Sequence, residues 1–298
     1  MRSCPSPRGG EGGSRAAPAA REGEGLSTRA ALSRATPALA LVSDTPRLDA
    51  ELLMAHALEV TRESLLLEHL EDPIPPAFAN LLHRRVSDRE PIAYITGIRQ
   101  FWSLDLAVGP GVLIPRPDSE TLLEVAIAHF SAATSPTSIL DLGTGSAALL
   151  LAALAEWPHA RVIGVERSSA ALAWARANIA RHAPGHAKLI QADWADALDA
   201  RFDLILCNPP YVETGTDLAP EVALHEPAEA LFAGPDGLAC HRLLAPQLTP
   251  LLAPGGIACI EIGATQAAAA TALFQAEGWT VHTRRDLAGR DRCLALTR

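Results

Sequence analysis

The sequence predicts a doubly wound α/β fold with a mostly parallel sheet, preceded by a small N-terminal helical domain. Three observations predict it. From about residue 118 onward, short β-branched runs alternate with helical segments, a pattern that builds parallel sheets covered by helices on both faces. A glycine-rich turn, DLGTGSA (141–147), lies between a strand and a helix, where folds of this class bind ligands. The stretch 28–92 carries helical spacing and no strand alternation.

In chain order, residues 1–27 are rich in Gly, Ser, Pro, Arg and Glu without hydrophobic periodicity, which predicts a disordered tail. Within 28–92, Leu48, Leu52, Ala55 and Glu59 fall on one helical stripe, apolar in its upper part. Phe78, Leu81, Leu82, Arg85 and Val86 form a second stripe, opened by Pro75 and Pro76. A bundle of this kind suits partner docking, a lid, or a cap that only adds stability. Residues 93–115 turn aromatic and β-branched with Gly and Pro punctuation, which predicts a β-hairpin linking two domains. Residues 116–298 then form the α/β domain. A helix near 118–130 leads to seven strands at 138–142, 161–165, 188–192, 202–207, 257–262, 279–283 and 293–297. Helices are expected to about 156, at 168–182, near 237–252 and at 265–277.

The composition narrows the function. Of 298 residues, 48% are hydrophobic and 20% charged, which excludes a wholly disordered chain. The longest clean apolar run, 147–155, is far shorter than the ~20 residues of a membrane span. The net charge of −9 argues against a long grip on nucleic acid. Five widely spaced cysteines with no CxxC fit a reducing cytoplasm and neither a disulfide framework nor a zinc site. His182 and His186 flank Pro184 and Gly185, so they cannot share a helical face as metal ligands, and no metal is expected.

The cofactor end is read from the glycine-rich turn. Gly143, Thr144, Gly145, Ser146 and Ala147 open a helix whose free N–H groups face a ligand. The second strand ends in Glu166, placed to accept both ribose hydroxyls of an adenosine. NAD and S-adenosylmethionine enzymes share this layout. The spacing GxGxA, with Asp141 two residues before the first glycine, favours the sulfonium cofactor, because Asp141 can balance its positive methionine end. After the third strand, Asp193 can take the adenine amino group and Trp194 can lie near the purine. Trp194 as a plain core residue, and the turn as mere strand-to-helix geometry, are the alternatives.

The chemistry end is the run Asn208-Pro209-Pro210-Tyr211 after the fourth strand. An amide nitrogen is a poor nucleophile with two N–H donors. The Asn208 side-chain oxygen and the Pro209 carbonyl can accept both and aim the nitrogen. The prolines hold these acceptors in place, and Tyr211 offers a flat face to a planar amide or base. The proton leaves after the methyl arrives, so no strong base is required.

From about residue 47 to the C-terminus the chain resembles the peptide chain release factor glutamine N5-methyltransferases. The resemblance rests on RLDAELL (47–53), REPIAYITG (89–97), FWSLDLAV (101–108), VLIPRPDSE (112–120), DLGTGSA (141–147), NPPY (208–211), HEP (225–227), DGL (236–238) and RDLAGRDR (285–292). NPPY alone also occurs in adenine N6-methyltransferases. The resemblance implies a seven-stranded Rossmann-like methyltransferase sheet and S-adenosylmethionine contacts from the Gly143–Ala147 loop, Glu166, Trp194 and Asn208. It implies that Asn208 to Tyr211 hold the glutamine of a GGQ loop, and that the helical domain docks the release factor. Phe101 and Arg116 sit in matching motifs. Ala147 stands where many members have a third glycine, and Glu166 where an aspartate is usual.

Three other functions compete with this one. An adenine N6-methyltransferase presents the same two donors but needs a basic face and a base clamp. A non-catalytic cofactor-binding adaptor leaves the intact NPPY unexplained. A nicotinamide-linked dehydrogenase lacks a hydride-transfer acid on the strand ends. The sequence therefore points to a release factor as partner, with no membrane and no direct nucleic-acid contact.

Overall fold

The computed structural model describes residues 27–130 and 134–298. The tail expected over 1–27 lies outside the described residues except for Ser27, whose hydroxyl accepts from the Ala30 N–H and caps the first helix.

The N-terminal region is built from α1 (Thr28–Leu39), α2 (Pro46–Leu58), α3 (Arg62–Glu68), α4 (Ala77–Val86) and α5 (Ile92–Thr96). Local chemistry starts and stops these helices. Pro46 opens α2, the Thr61 hydroxyl caps α3, and Gly97 ends α5 at φ 74°, a conformation glycine adopts without steric cost. Leu32, Leu39, Leu53, Met54 and Leu65 form the centre of its core.

The stripe read from α2 needs correction. Leu48 is 39% exposed, whereas Ala50, Leu53 and Met54 are completely buried. The helix packs against α1, α3, α4 and α5, so its buried face is wide and includes Asp49 and Glu51. Ion pairing makes those two acids compatible with burial, and they break up the apolar stripe.

A hairpin follows, β1 (Ile98–Phe101) and β2 (Leu104–Ala107), antiparallel. A 3₁₀ turn at Pro117–Ser119 leads into α6 (Glu120–His129). The α/β unit then runs β3 (Ser138–Leu142), α7 (Ala148–Glu156), β4 (Arg161–Glu166), α8 (Ser169–His182), β5 (Ala187–Gln191) and β6 (Phe202–Cys207). It continues with α9 (Pro220–His225), α10 (Ala239–Gln247), β7 (Leu252–Glu261), α11 (Ala267–Ala276), β8 (Thr280–Arg285) and β9 (Asp291–Thr297). The expected seven strands form one sheet. Helix α9 was not anticipated. The helix expected near 237–252 ends at Gln247, with Pro246 in its last turn and Pro250 in the 3₁₀ turn that follows.

The sheet order is β5-β4-β3-β6-β7-β9-β8. All neighbours are parallel except those of β9, which is antiparallel to both β7 and β8. Strand alternation divides the core. Ile139, Leu204 and Leu206 face the layer of α6, α7 and α8, while Leu140, Ile205 and Cys207 face that of α10 and α11. The chain reverses direction across the sheet between β3 and β6. In a doubly wound sheet that reversal opens a crevice at the carboxyl ends of the two strands.

Candidate active site

Register places the two motifs side by side. Leu142 of β3 pairs with Cys207 of β6, so the glycine-rich turn and Asn208 leave adjacent strand ends together. Between them lies a cavity of about 380 Å³, within the ~300–1,000 Å³ of small-ligand pockets. Asp141, Gly143, Thr144, Gly145 and Ser146 line one side. Glu166, Asp193 and Trp194 line another, with Asn208 and Pro210 facing them. Ala147, Pro209 and Tyr211 do not line this cavity. Ala147 is fully buried and precedes α7 at φ 67°. The hairpin segment is more than a linker, since Phe101 and Val112 form part of the wall.

The turn is shaped for close approach. Gly143 and Gly145 have φ of 72° and 56°. A Cβ at Gly145 would meet no protein atom nearer than 3.9 Å, so the space beside it belongs to the cavity. Asp141 is buried, and its Oδ2 accepts from the Thr144 hydroxyl at 2.6 Å. Its Oδ1 has no hydrogen-bond partner among the described residues. Burial outweighs the Thr144 bond, and Glu166 adds like-charge repulsion, so the carboxyl is pushed up to about 7. An unsatisfied acceptor of this kind fits a cationic group, and the methionine end of S-adenosylmethionine is one. Glu166 Oε2 accepts from the Gly145 N–H at 3.0 Å and Oε1 from the Ser168 N–H at 2.8 Å. The side chain thus reaches the turn itself and still keeps lone pairs for a ribose. The Trp194 ring stands 3.5 Å from where a Gly143 Cβ would be.

Behind Asn208 is a layer that motif reading missed. Asn208 Nδ2 donates to Ser119 Oγ at 3.0 Å. The Tyr211 hydroxyl donates to Glu261 Oε1 at 3.0 Å, and the Tyr211 carbonyl accepts from Gln266 Nε2 at 2.9 Å. Gly237 must lack a side chain, because a Cβ there would lie 2.2 Å from the Tyr211 carbonyl oxygen. Glu261 is wholly buried at the end of β7. Burial raises its carboxyl to about 7 against the hydroxyls of Ser119 and Tyr211 and the charge of Arg292. Burial beside Glu261 also raises the Tyr211 phenol well above its ordinary value.

The scattered motifs meet here. Asp118 of IPRPDSE pairs with Arg290 at 2.7 Å and Arg292 at 3.2 Å of RDLAGRDR. Arg116 pairs with Glu226 of HEP, whose other oxygen accepts from the Ile114 N–H at 3.1 Å. Arg116 is therefore tied to Glu226 and does not line the cavity. Arg292 Nη1 donates to the Ile262 carbonyl at 3.2 Å, bracing the strand end that carries Glu261. The signal for Glu261 was a lone acid in the apolar run IACIEI (257–262).

This sheet order, with the glycine-rich turn after the first strand of the sheet domain and NPPY after the fourth, defines a class I methyltransferase. Residues 118–232 match the methyltransferase small domain, and residues 30–97 match the PrmC N-terminal domain. The release factor glutamine methyltransferase of Caulobacter vibrioides is 42% identical over 257 residues, spanning 84% of this chain and 88% of the relative. That of Mycolicibacterium smegmatis is 42% identical over 275 residues, spanning 90% of this chain and 96% of the relative. A methyltransferase from Pyrococcus furiosus shares the fold, with a TM-score of 0.50 at 19% identity over 73% of this chain and 95% of that one. The chain belongs to the release factor glutamine methyltransferase family.

Proposed function

We propose that this protein transfers the methyl group of S-adenosylmethionine to the side-chain amide nitrogen of the GGQ glutamine in peptide chain release factors. The observation that carries the proposal is the side-by-side placement of the glycine-rich turn and Asn208 on one cavity. The identity of 42% to the named relatives supports it.

When bound, S-adenosylmethionine supplies an electrophilic methyl on a positively charged sulfur. In this reading Asp141 Oδ1 balances the cationic methionine end, and Glu166 takes the ribose. Asp193 and Trp194 would receive the adenine. The turn meets the ligand through the open space beside Gly145 rather than through the free N–H groups expected from the sequence. The N–H groups of Gly143 and Thr144 bond the Val165 carbonyl, that of Gly145 bonds Glu166, and that of Ala147 bonds the Thr144 carbonyl. Asn208 Oδ1 and the Pro209 carbonyl accept the two N–H groups of the glutamine. Positioning of this kind is what a weak nucleophile needs. Pro210 and Tyr211 hold the plane of the amide. The proton on the substrate nitrogen is released once the new N–C bond has formed.

We assign methyl transfer to the region 116–298 and release-factor docking to the helical region 28–92. Helix α9 links the two, since Glu221 pairs with Arg85 at 3.5 Å and Arg89 at 3.4 Å. The His225 Nε2 also lies 2.8 Å from the Asp88 carbonyl oxygen. We place the reaction in the cytoplasm, consistent with the free thiols of Cys207, Cys240, Cys259 and Cys293. Among the described residues no helix is long and apolar enough to cross a membrane.

The test offers the protein labelled S-adenosylmethionine with either a release factor or nucleic acid, and maps the label. A methyl on the GGQ glutamine is expected, and a methyl on adenine overturns the proposal. Docking by the helical region predicts a much higher KM for a short GGQ peptide than for the whole release factor.

A further inference from the structure

Two parts of the chain stay out of the cavity wall and still converge on Tyr211. One is the motif DGL (236–238), and the other is Gln266, the residue that precedes α11. Gln266 is 7% exposed, and its amide lies between two glycines. A Cβ at Gly237 would stand 2.5 Å from Nε2, and a Cβ at Gly263 would stand 2.8 Å from Oε1. A side chain at either position would displace the amide.

Hydrogen bonds fix which way this amide points. Oε1 accepts from the Gly263 N–H at 2.9 Å. Nε2 donates to the Tyr211 carbonyl at 2.9 Å and to the Asp236 carbonyl at 3.4 Å. Reversing the amide would set an NH2 against an N–H and an oxygen against two carbonyls. Three backbone groups set the orientation, and none of them titrates.

The Tyr211 carbonyl lies where support is scarce. The last ladder pair between β6 and β7 is Cys207 with Ile260. After the NPPY run, the Val212 N–H bonds the Leu231 carbonyl at 2.8 Å. Asn208 to Tyr211 span the gap, and two of the four are prolines with no N–H to bond. The Tyr211 hydroxyl is tied to Glu261 at 3.0 Å. With Gln266 on its carbonyl, Tyr211 is gripped at both the ring tip and the backbone.

We propose that Gln266 is a positioning residue for methyl transfer. Through the slot left by Gly237 and Gly263 it pins the Tyr211 carbonyl, and so holds the NPPY turn where it aims the substrate amide. The inference rests on the proposed methylation of an amide nitrogen and adds what fixes the turn that orients it.

Two measurements test it on the full chain. The first needs no turnover. The protein has two tyrosines, Tyr94 and Tyr211, so labelling tyrosine carbonyl carbons with ¹³C gives two resonances. Gln266→Met keeps the length of the side chain and removes its donor. It should move the Tyr211 resonance and leave that of Tyr94 in place, and Gly237→Ala should move the same resonance. An unmoved Tyr211 signal in Gln266→Met, or a Tyr94 signal that moves as far, overturns the pinning. The second measures methylation of a short GGQ peptide. Gln266→Met should lower kcat at least ~10-fold through lost alignment. Its affinity for S-adenosylmethionine by calorimetry should be unchanged, because Gln266 does not line the cavity. Wild-type kcat in Gln266→Met, or a loss of cofactor affinity as large as the loss of kcat, overturns the positioning role. If Gly237→Ala fails to fold, Gln266→Met decides alone. If the wild-type protein leaves release factors unmethylated, the proposed function fails, while the tyrosine resonances still decide the pinning.

Discussion

The helical region and the sheet domain both bury acids, and they treat them in opposite ways. In α2, Glu51 is 4% exposed and clasped by Arg47 at 2.6 Å and Arg62 at 2.7 Å. Asp49 beside it pairs with the buried Arg85 at 3.3 Å. At the strand ends, Asp141 and Glu261 are just as buried, yet each keeps one oxygen without a hydrogen-bond partner among the described residues. Both are raised to about 7 by that burial. Buried charges are costly unless paired, so the paired acids serve the fold. The unpaired ones are groups whose ionisation burial opposes, and of the two it is Asp141 that lines the cavity, where a perturbed carboxyl marks function.

The largest effect should come from the site. Asn208→Ala leaves a substrate N–H unpaired in a closed site, a loss of ~1–3 kcal/mol before misalignment is added. Turnover should fall at least ~10–100-fold in a methylation assay, at about 1.4 kcal/mol per tenfold. Asn208→Asp should retain cofactor affinity by calorimetry and still turn over slowly, because its charge favours the ground state over a transition state in which positive charge is dispersing.

On the other side of the comparison, Glu51→Ala should cost stability and leave chemistry alone. It leaves the half-exposed Arg47 and Arg62 without their shared acceptor. Because both arginines reach solvent, a loss of about 0.2–1 kcal/mol per pair is expected by chemical denaturation. The rate on a short GGQ peptide should stay at the wild-type value.

Asp141 supplies a pH test with a defined sign. A cationic ligand favours the ionised form, and ionisation of a group raised to about 7 increases with pH through that value. S-adenosylmethionine affinity should therefore rise roughly tenfold from about pH 6 to about pH 8. Asp141→Asn should bind weakly and lose most of this slope in calorimetric titrations. A retained slope would move the titrating group elsewhere.

The smallest effect concerns Ala147, a buried non-glycine residue at φ 67°. Ala147→Gly relieves ~1–2 kcal/mol of left-handed strain. It also gives up a buried methyl worth ~0.8 kcal/mol and adds ~0.4–1 kcal/mol of unfolded-chain entropy. Thermal unfolding should register a net change below ~1 kcal/mol. A large loss of cofactor affinity would show that this methyl acts at the site despite lying behind the cavity wall.

The alternation of strands and helices was legible because periodicity and turn chemistry are local. The strand 138–142, the turn after it and NPPY after 202–207 all stand where their residues predict. The α2 stripe misled for a nonlocal reason. The buried face includes Asp49 and Glu51, which pair with Arg85 of α4 and Arg62 of α3, with Arg47 of α2 itself as the local partner of Glu51.

By itself the sequence determined the fold class, the two motif ends of the site and the likeness to a methyltransferase family, since these depend on runs of neighbouring residues. Only the tertiary structure decided that Asp118 meets Arg290 and Arg292, that Gly237 clears room for Tyr211, and that Ser119 and Glu261 meet the two ends of the NPPY turn. Those contacts join residues as far apart in the chain as Asp118 and Arg292. Short-range propensity cannot bring such groups together. The crossing of the chain between β3 and β6, and the burial it imposes, does.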